Sequence, residues 1–307
     1  MILNILFIVI GIVLVLWGAD RLTDGAVAVA EKMKMPQIVI GLTIVAMGTS
    51  MPEFCVSLIS ALKGTSDLAV GNIVGSNIFN TLLIVGVSAL VAPMSIMKTT
   101  VRKDIPFALV ASALLLIMCL DEDISRIDAA ILFVMFLIFM YITLRGAKAQ
   151  GTDVEEKEKK PMATWLSVVW ILVGLACLIG GSNLFVDGAT VVATKLGVSE
   201  AVIGLTIVAG GTSLPELATS VVSARKGNSG IAIGNVLGSN VFNILAILGL
   251  TGVISPMTLK GITMTDLSMM VISIILIWLF SFTKYKIERW EGAILTAVFV
   301  GYIYSLL

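Results

Sequence analysis

Gly41-Leu42-Thr43-Ile44-Val45-Ala46-Met47-Gly48-Thr49-Ser50-Met51-Pro52-Glu53 lies inside an apolar run, Gln37 to Leu62, long enough to cross a bilayer. Glu53 is the only charged residue of that run. The stretch returns 163 residues later as Gly204-Leu205-Thr206-Ile207-Val208-Ala209-Gly210-Gly211-Thr212-Ser213-Leu214-Pro215-Glu216, identical at 11 of 13 positions. Pro52 lacks a backbone donor and disfavours helix at Met51. With Gly48 upstream, the helix is expected to unwind from Gly48 to Met51 and free carbonyls near Ala46 and Met47. In lipid such a break is tolerated only where it faces protein or a polar cavity. A single copy fits equally well a capping box, Ser50 to Glu53, that closes the second half-helix. Two copies, each with an intramembrane glutamate, point to an ion site.

The rest of the chain has the composition of a membrane protein. Of 307 residues, 58% are hydrophobic and 13% charged, with a mean hydropathy of +1.06, whereas a soluble domain carries roughly 25% charged residues. Net charge is zero and no basic block suggests nucleic acid. The absence of histidine excludes histidine catalysis, metal sites and proton relays. Cys55, Cys119 and Cys177 lie in apolar runs and read as buried hydrophobes, without a disulfide framework.

We read an all-α membrane protein with ten transmembrane helices as two inverted-topology repeats of five, helices 2 and 7 broken. The spans run Ile2–Ala30, Gln37–Leu62, Leu68–Val91, Ile105–Leu120 and Ile127–Leu144, then Thr164–Ala193, Ala201–Ala224, Ile231–Ile254, Met264–Phe282 and Trp290–Leu306. Residues 1–145 form the first repeat, 146–162 a polar linker and 163–307 the second repeat. The offset of 163 pairs Asp24 with Asp187, Glu53 with Glu216, Lys63 with Lys226, Asn80 with Asn243, Pro93 with Pro256 and Arg126 with Arg289. Five spans per half is odd, so the halves enter the membrane in opposite orientations. The first span resembles a signal peptide, but no basic residue precedes it and Asp24-Gly25-Ala26 recurs as Asp187-Gly188-Ala189. It is therefore read as a structural helix. Spans one and six exceed the bilayer and are expected to tilt or protrude. Asp20 and Asp24 flank Arg21 on one helix face and read as an interfacial ion pair or cap rather than a transport site.

The loops test the span count. Loops on the side of the N-terminus hold 4 basic residues and those on the other side 15, with Arg21 inside a span. That asymmetry makes the linker cytoplasmic and both termini extracellular.

The third and eighth spans repeat as well. Gly71-Asn72-Ile73-Val74-Gly75-Ser76-Asn77-Ile78-Phe79-Asn80 matches Gly234-Asn235-Val236-Leu237-Gly238-Ser239-Asn240-Val241-Phe242-Asn243. Ser76 and Asn80 share a helix face, as do Ser239 and Asn243. Helix packing by small and amide residues is the competing reading. The oxygen inventory is Glu53 and Glu216, the hydroxyls of Thr49, Ser50, Ser76, Thr212, Ser213 and Ser239, the amides of Asn80 and Asn243, and freed carbonyls. Hard oxygen donors favour Na⁺, Ca²⁺ or Mg²⁺ over zinc or copper, and flexible carbonyls with two carboxylates suit Ca²⁺. One Ca²⁺ or two monovalent cations neutralise the pair.

Gly-Thr-Ser-x-Pro-Glu followed by Gly-Ser-Asn-x-x-Asn resembles the alpha-repeats of the sodium/calcium exchanger family, in the cation/calcium antiporter superfamily. The resemblance covers the whole chain, and the short linker makes it similar to prokaryotic members. It implies antiport of Ca²⁺ for Na⁺, usually three, by alternating access, with the long first and sixth helices sliding. It also implies Glu53 and Glu216 as central ligands and hydroxyls or carbonyls from Thr49, Ser50, Thr212 and Ser213. Backbone carbonyls of Ala46 and Ala209 would serve Na⁺, with Ser76, Ser239, Asn80 and Asn243 completing the cluster. Potassium-dependent relatives have Asp where this chain has Asn80 or Asn243, so potassium transport is not expected. A calcium/proton antiporter of the same fold is the alternative, because a buried glutamate also carries protons. A cation channel or membrane enzyme fits less well: no nucleophile–base pair exists, and a channel needs no duplicated charged midplane. No cofactor is expected, the lipid bilayer is the implied partner, and no oligomer is implied.

Overall fold

The computed structural model describes residues 2–149, 162–197, 209–259 and 261–306. The first half contains α1 (Ile2–Met33), α2 (Gln37–Thr49), α3 (Met51–Leu62), α4 (Ser66–Val91), α5 (Thr100–Asp121) and α6 (Arg126–Ala149). The second contains α7 (Thr164–Lys195), α8 (Ala209–Thr212), α9 (Leu214–Arg225), α10 (Ser229–Ile254), α11 (Met264–Ser281) and α12 (Arg289–Leu306). Among the described residues, seven helices are long and apolar enough to cross a membrane, and α2 with α3 forms a bent pair that passes the same test at 48°. The chain is a multi-pass helical membrane protein. The part of the seventh expected span before Ala209, residues 201–208, and the linker from 150 to 161 lie outside the described residues.

Local chemistry repeats with the sequence. α3 and α9 both end in a left-handed glycine, Gly64 at φ +77° and Gly227 at φ +78°. The following residues donate back into the last turn, Thr65 to the Ser60 carbonyl and Asn228 to the Ser223 carbonyl, at 2.9 and 2.8 Å. This is the Schellman closure that glycine permits. Two short ribbons tie helix ends together: β1 (Met94–Ser95) with β4 (Lys286–Ile287), and β2 (Asp123–Ile124) with β3 (Met257–Thr258), both antiparallel. The repeat offset carries one register onto the other: Met94 plus 163 is Met257, and Ile287 minus 163 is Ile124.

α1 and α7 form one closely packed pair. A Cβ at Gly11 would stand 2.7 Å from the Gly181 carbonyl oxygen, and one at Gly18 would stand 2.8 Å from that of Gly174. Small residues let these backbones touch, which replaces the hydrophobic drive that lipid removes between helices. The first span, read as a structural helix despite its signal-like look, is part of the packed molecule. α10 is the central helix: 94% of its apolar window is buried, against 72% for α4.

Candidate functional site

Backbone irregularity concentrates where the repeated motifs lie. Between α2 and α3, Ser50 leaves helical geometry at φ −83°, ψ 9°; between α8 and α9, Ser213 does the same at φ −91°, ψ 8°. Pro52 and Pro215 sit in the first turn of the helices that follow, where a missing N–H costs no hydrogen bond. The break is narrower than the sequence suggests. Ser50 N still donates to the Ala46 carbonyl at 3.0 Å, and Thr49 Oγ1 lies 3.1 Å from the Val45 and 3.3 Å from the Ala46 carbonyl oxygen. The Ala46 carbonyl is thus engaged here rather than freed. Its counterpart Ala209 opens α8.

Neither serine caps its own helix. Ser50 Oγ donates to Glu216 Oε1 at 2.9 Å, and Ser213 Oγ donates to Glu53 Oε1 at 3.0 Å. Each carboxylate is therefore held by the serine of the other copy. Thr212 adds a contact to Glu53, and Thr49 one to Glu216. Ser76 Oγ lies 3.3 Å from Ser213 Oγ. Glu53 and Glu216 are 0% and 1% exposed. Among the described residues no basic side chain pairs with either.

The amides form a second layer. Asn80 Nδ2 donates to Asn240 Oδ1 at 3.1 Å, and Asn243 Nδ2 donates to Asn77 Oδ1 at 3.0 Å. With an N–H of each committed, Asn80 and Asn243 keep Oδ1 buried and without a partner among the described residues, as do Oε2 of Glu53, Oε2 of Glu216 and Oγ of Ser239. Both amides sit at the second residue of a π-helical stretch, Phe79–Ile84 in α4 and Phe242–Leu248 in α10. Such wide turns recur at functional positions because they rotate a side chain out of register.

Sequence reasoning passed over four asparagines inside the motifs it quoted. Asn72 Nδ2 donates to the Glu53 carbonyl at 3.2 Å and to Ser57 Oγ at 2.9 Å. Asn235 Nδ2 does the same to the Glu216 carbonyl and Ser220 Oγ, at 3.2 and 3.0 Å, and its Oδ1 accepts from Thr49. Asn77 and Asn240 orient the two outer amides. The signal was available: a buried asparagine that recurs at the same offset has a polar partner to serve.

Five unpartnered buried oxygens, two of them carboxylate, are costly unless something positive completes them. The donors are all hard, which suits alkali and alkaline-earth cations. Comparison with known proteins agrees. The sodium/calcium exchanger protein family model matches residues 3–145 and 166–307. The chain belongs to this family. It is 37% identical to the inner membrane protein YrbG of Escherichia coli (strain K12), over all of this chain and 97% of that one. It is 32% identical to the sodium/calcium exchanger MaX1 of Methanosarcina acetivorans, over 99% and 98%. A solved structure of the sodium-calcium exchanger NCX_Mj superposes with a TM-score of 0.88 at 30% identity, covering 100% of this chain and 99% of that one. The all-helical membrane fold, the exchanger family and the transporter class expected from the sequence are thereby established.

Proposed function

We propose that this chain exchanges Ca²⁺ for Na⁺ by alternating access, electrogenically and without K⁺. The observation that carries this reading is the reciprocal pair Ser50–Glu216 and Ser213–Glu53, which holds two buried carboxylates with no basic partner among the described residues. Glu53 and Glu216 are the central ligands. Thr49, Ser50, Thr212, Ser213, Ser76 and Ser239 supply hydroxyls, Asn80 and Asn243 amide oxygens, and Ala46 and Ala209 carbonyls for Na⁺. Ca²⁺ takes 6–8 loosely arranged oxygens, a number this set reaches without sulfur or nitrogen.

The ion path needs two-sided architecture, and we read ten spans in two inverted repeats, 1–145 and 163–307, joined by a cytoplasmic linker. The ribbons support that reading. Met94 and Ile287 must lie on one side of the membrane, and Ile124 and Met257 on one side, and the ten-span order satisfies both. The basic-residue bias supports extracellular termini.

Reconstitution tests the function. Proteoliposomes loaded with Na⁺ are expected to take up ⁴⁵Ca²⁺ when an outward Na⁺ gradient is imposed, and to keep doing so when choline replaces all K⁺. Uptake that follows a proton gradient and ignores Na⁺ would establish the calcium/proton alternative. Loss of uptake on K⁺ removal would mean that neutral Asn80 and Asn243 do not govern K⁺ dependence.

A further inference from the structure

The two halves correspond in sequence, but the structure does not treat them alike. α1 packs along α9, whereas α7 makes no comparable contact with α3, the counterpart of α9. Lys226, just past α9, places Nζ 2.6 Å from Asp20 Oδ1 and 2.8 Å from Asp24 Oδ1 on α1, and donates to the Asp20 carbonyl at 3.1 Å. Nearby, Thr23 Oγ1 of α1 is 3.0 Å from Ser223 Oγ of α9, both buried. Arg21 pairs with the same acids and lies over Trp17 of α1 and Trp170 of α7. At the corresponding positions stand Lys63, Asn183, Asp187, Val186 and Ser60. Lys63 and Asp187 are exposed, and among the described residues neither forms an ion pair.

The asymmetry extends to α4 and α10. A cavity of about 500 Å³ runs past Asn72, Gly75 and Ser76 of α4 to Asp266 and Tyr302 at the ends of α11 and α12. Among the described residues a Cβ at Gly75 would meet nothing within 4 Å, yet one at Gly238 would stand 2.7 Å from Leu42 Cα and from its carbonyl oxygen. Among the described residues, the α4 copy borders this cavity and the α10 copy is closely packed.

We propose that Lys226 with Asp20 and Asp24 is a latch that holds the present access state, and that Lys63 with Asp187 is its counterpart in the opposite state. The glycine contacts make α1 and α7 one body. When that body moves so that α7 packs on α3, α1 leaves α9 and one latch opens as the other closes. The first latch is the stronger. It has two carboxylates and a buried hydroxyl pair, where the counterpart has Asn183 for Asp20 and Val186 for Thr23. The resting equilibrium is therefore biased toward the present state. This inference rests on the alternating-access reading above.

The test uses full-length protein with Cys55, Cys119 and Cys177 replaced, carrying Lys63→Cys and Asp187→Cys, in proteoliposomes. A short bifunctional thiol reagent reports how often the two positions meet. Cross-linking is expected to be slow with Lys226 present and about fivefold faster in Lys226→Gln, the scale of losing a small part-exposed ion-pair network. Exchanging the charges, Lys226→Asp with Asp24→Lys, is expected to restore the slow rate, which loss of packing alone would not do. A rate indifferent to Lys226→Gln would overturn the latch, as would cross-linking that never occurs in folded protein. The readout needs no transported ion, so absent Na⁺–Ca²⁺ exchange with latch-dependent cross-linking would fault the choice of ions alone.

Discussion

Ser50 and Ser213 each precede a helix they do not cap, and each gives its hydroxyl to the glutamate of the other copy. A residue-scale consequence is that neither glutamate is held in place without the opposite half. Replacing Glu53 or Glu216 by Gln keeps the shape and the accepting oxygen but leaves one carboxylate for a divalent ion. Both variants are expected to extract as folded protein and to lose Ca²⁺ flux by at least about a hundredfold, since a single remaining charge leaves a divalent ion uncompensated in a buried site. Calcium uptake measured in the same proteoliposomes checks this, and near-normal flux in either variant would remove that glutamate from the site. The glutamates and serines were legible from sequence because a charge and a helix breaker inside an apolar run have few other uses. Their bonding was not: Ser50-Met51-Pro52-Glu53 satisfies the spacing of a capping box, and only the opposing copy diverts the serine. Asn72, Asn77, Asn235 and Asn240 escaped because an amide reads as packing until its partner carbonyl or amide is in view.

At the scale of elements, the repeat was legible and the differences between its copies were not. Identical spacing fixed the correspondence of α4 with α10, and the ends of most helices fall within a few residues of the expected ones. The π-helical stretches at Phe79–Ile84 and Phe242–Leu248 carry no glycine or proline to announce them. Lys226 could not be matched to Asp20 and Asp24 from sequence, because its reach across 202 positions depends on how α1 lies on α9. Gly75 and Gly238 occupy matching positions that, among the described residues, have open and closed surroundings, which allows a test of exchange between them. Gly238→Ala is expected to destabilise the folded protein by about 1–3 kcal/mol, the cost of overpacking a tight contact. Gly75→Ala is expected to leave thermal unfolding unchanged and yet slow Ca²⁺ flux severalfold, because α4 must enter the close packing that α10 now has. Thermal unfolding in detergent and flux in liposomes separate the two effects. Full transport by Gly75→Ala would show that α4 never takes up that packing.

For the whole molecule the question is how much charge one cycle carries. Two ionised carboxylates give the empty site a charge near −2, which one Ca²⁺ cancels. A loaded carrier that is neutral crosses its occluded state without the large penalty of an isolated buried charge. Three Na⁺ would instead leave one excess positive charge, and the cycle would move one net charge for each Ca²⁺. Two Na⁺ would cancel the carboxylates and make exchange indifferent to voltage. The pocket's oxygens suit either number, and the three-for-one cycle is the one that the family resemblance implies. In vesicles where Na⁺ leaves and Ca²⁺ enters, three charges go out for two that come in, so an inside-positive potential drives the cycle forward. The bias is about 2.3 kcal/mol per 100 mV for the single net charge. Valinomycin and graded K⁺ set the potential without entering the cycle, given K⁺ independence. Initial ⁴⁵Ca²⁺ uptake is expected to rise as the inside is made positive and to fall as it is made negative. Uptake that does not respond to the imposed potential would replace the three-for-one cycle by two-for-one exchange, with both carboxylates neutralised by either ion and no charge left for the membrane field to act upon.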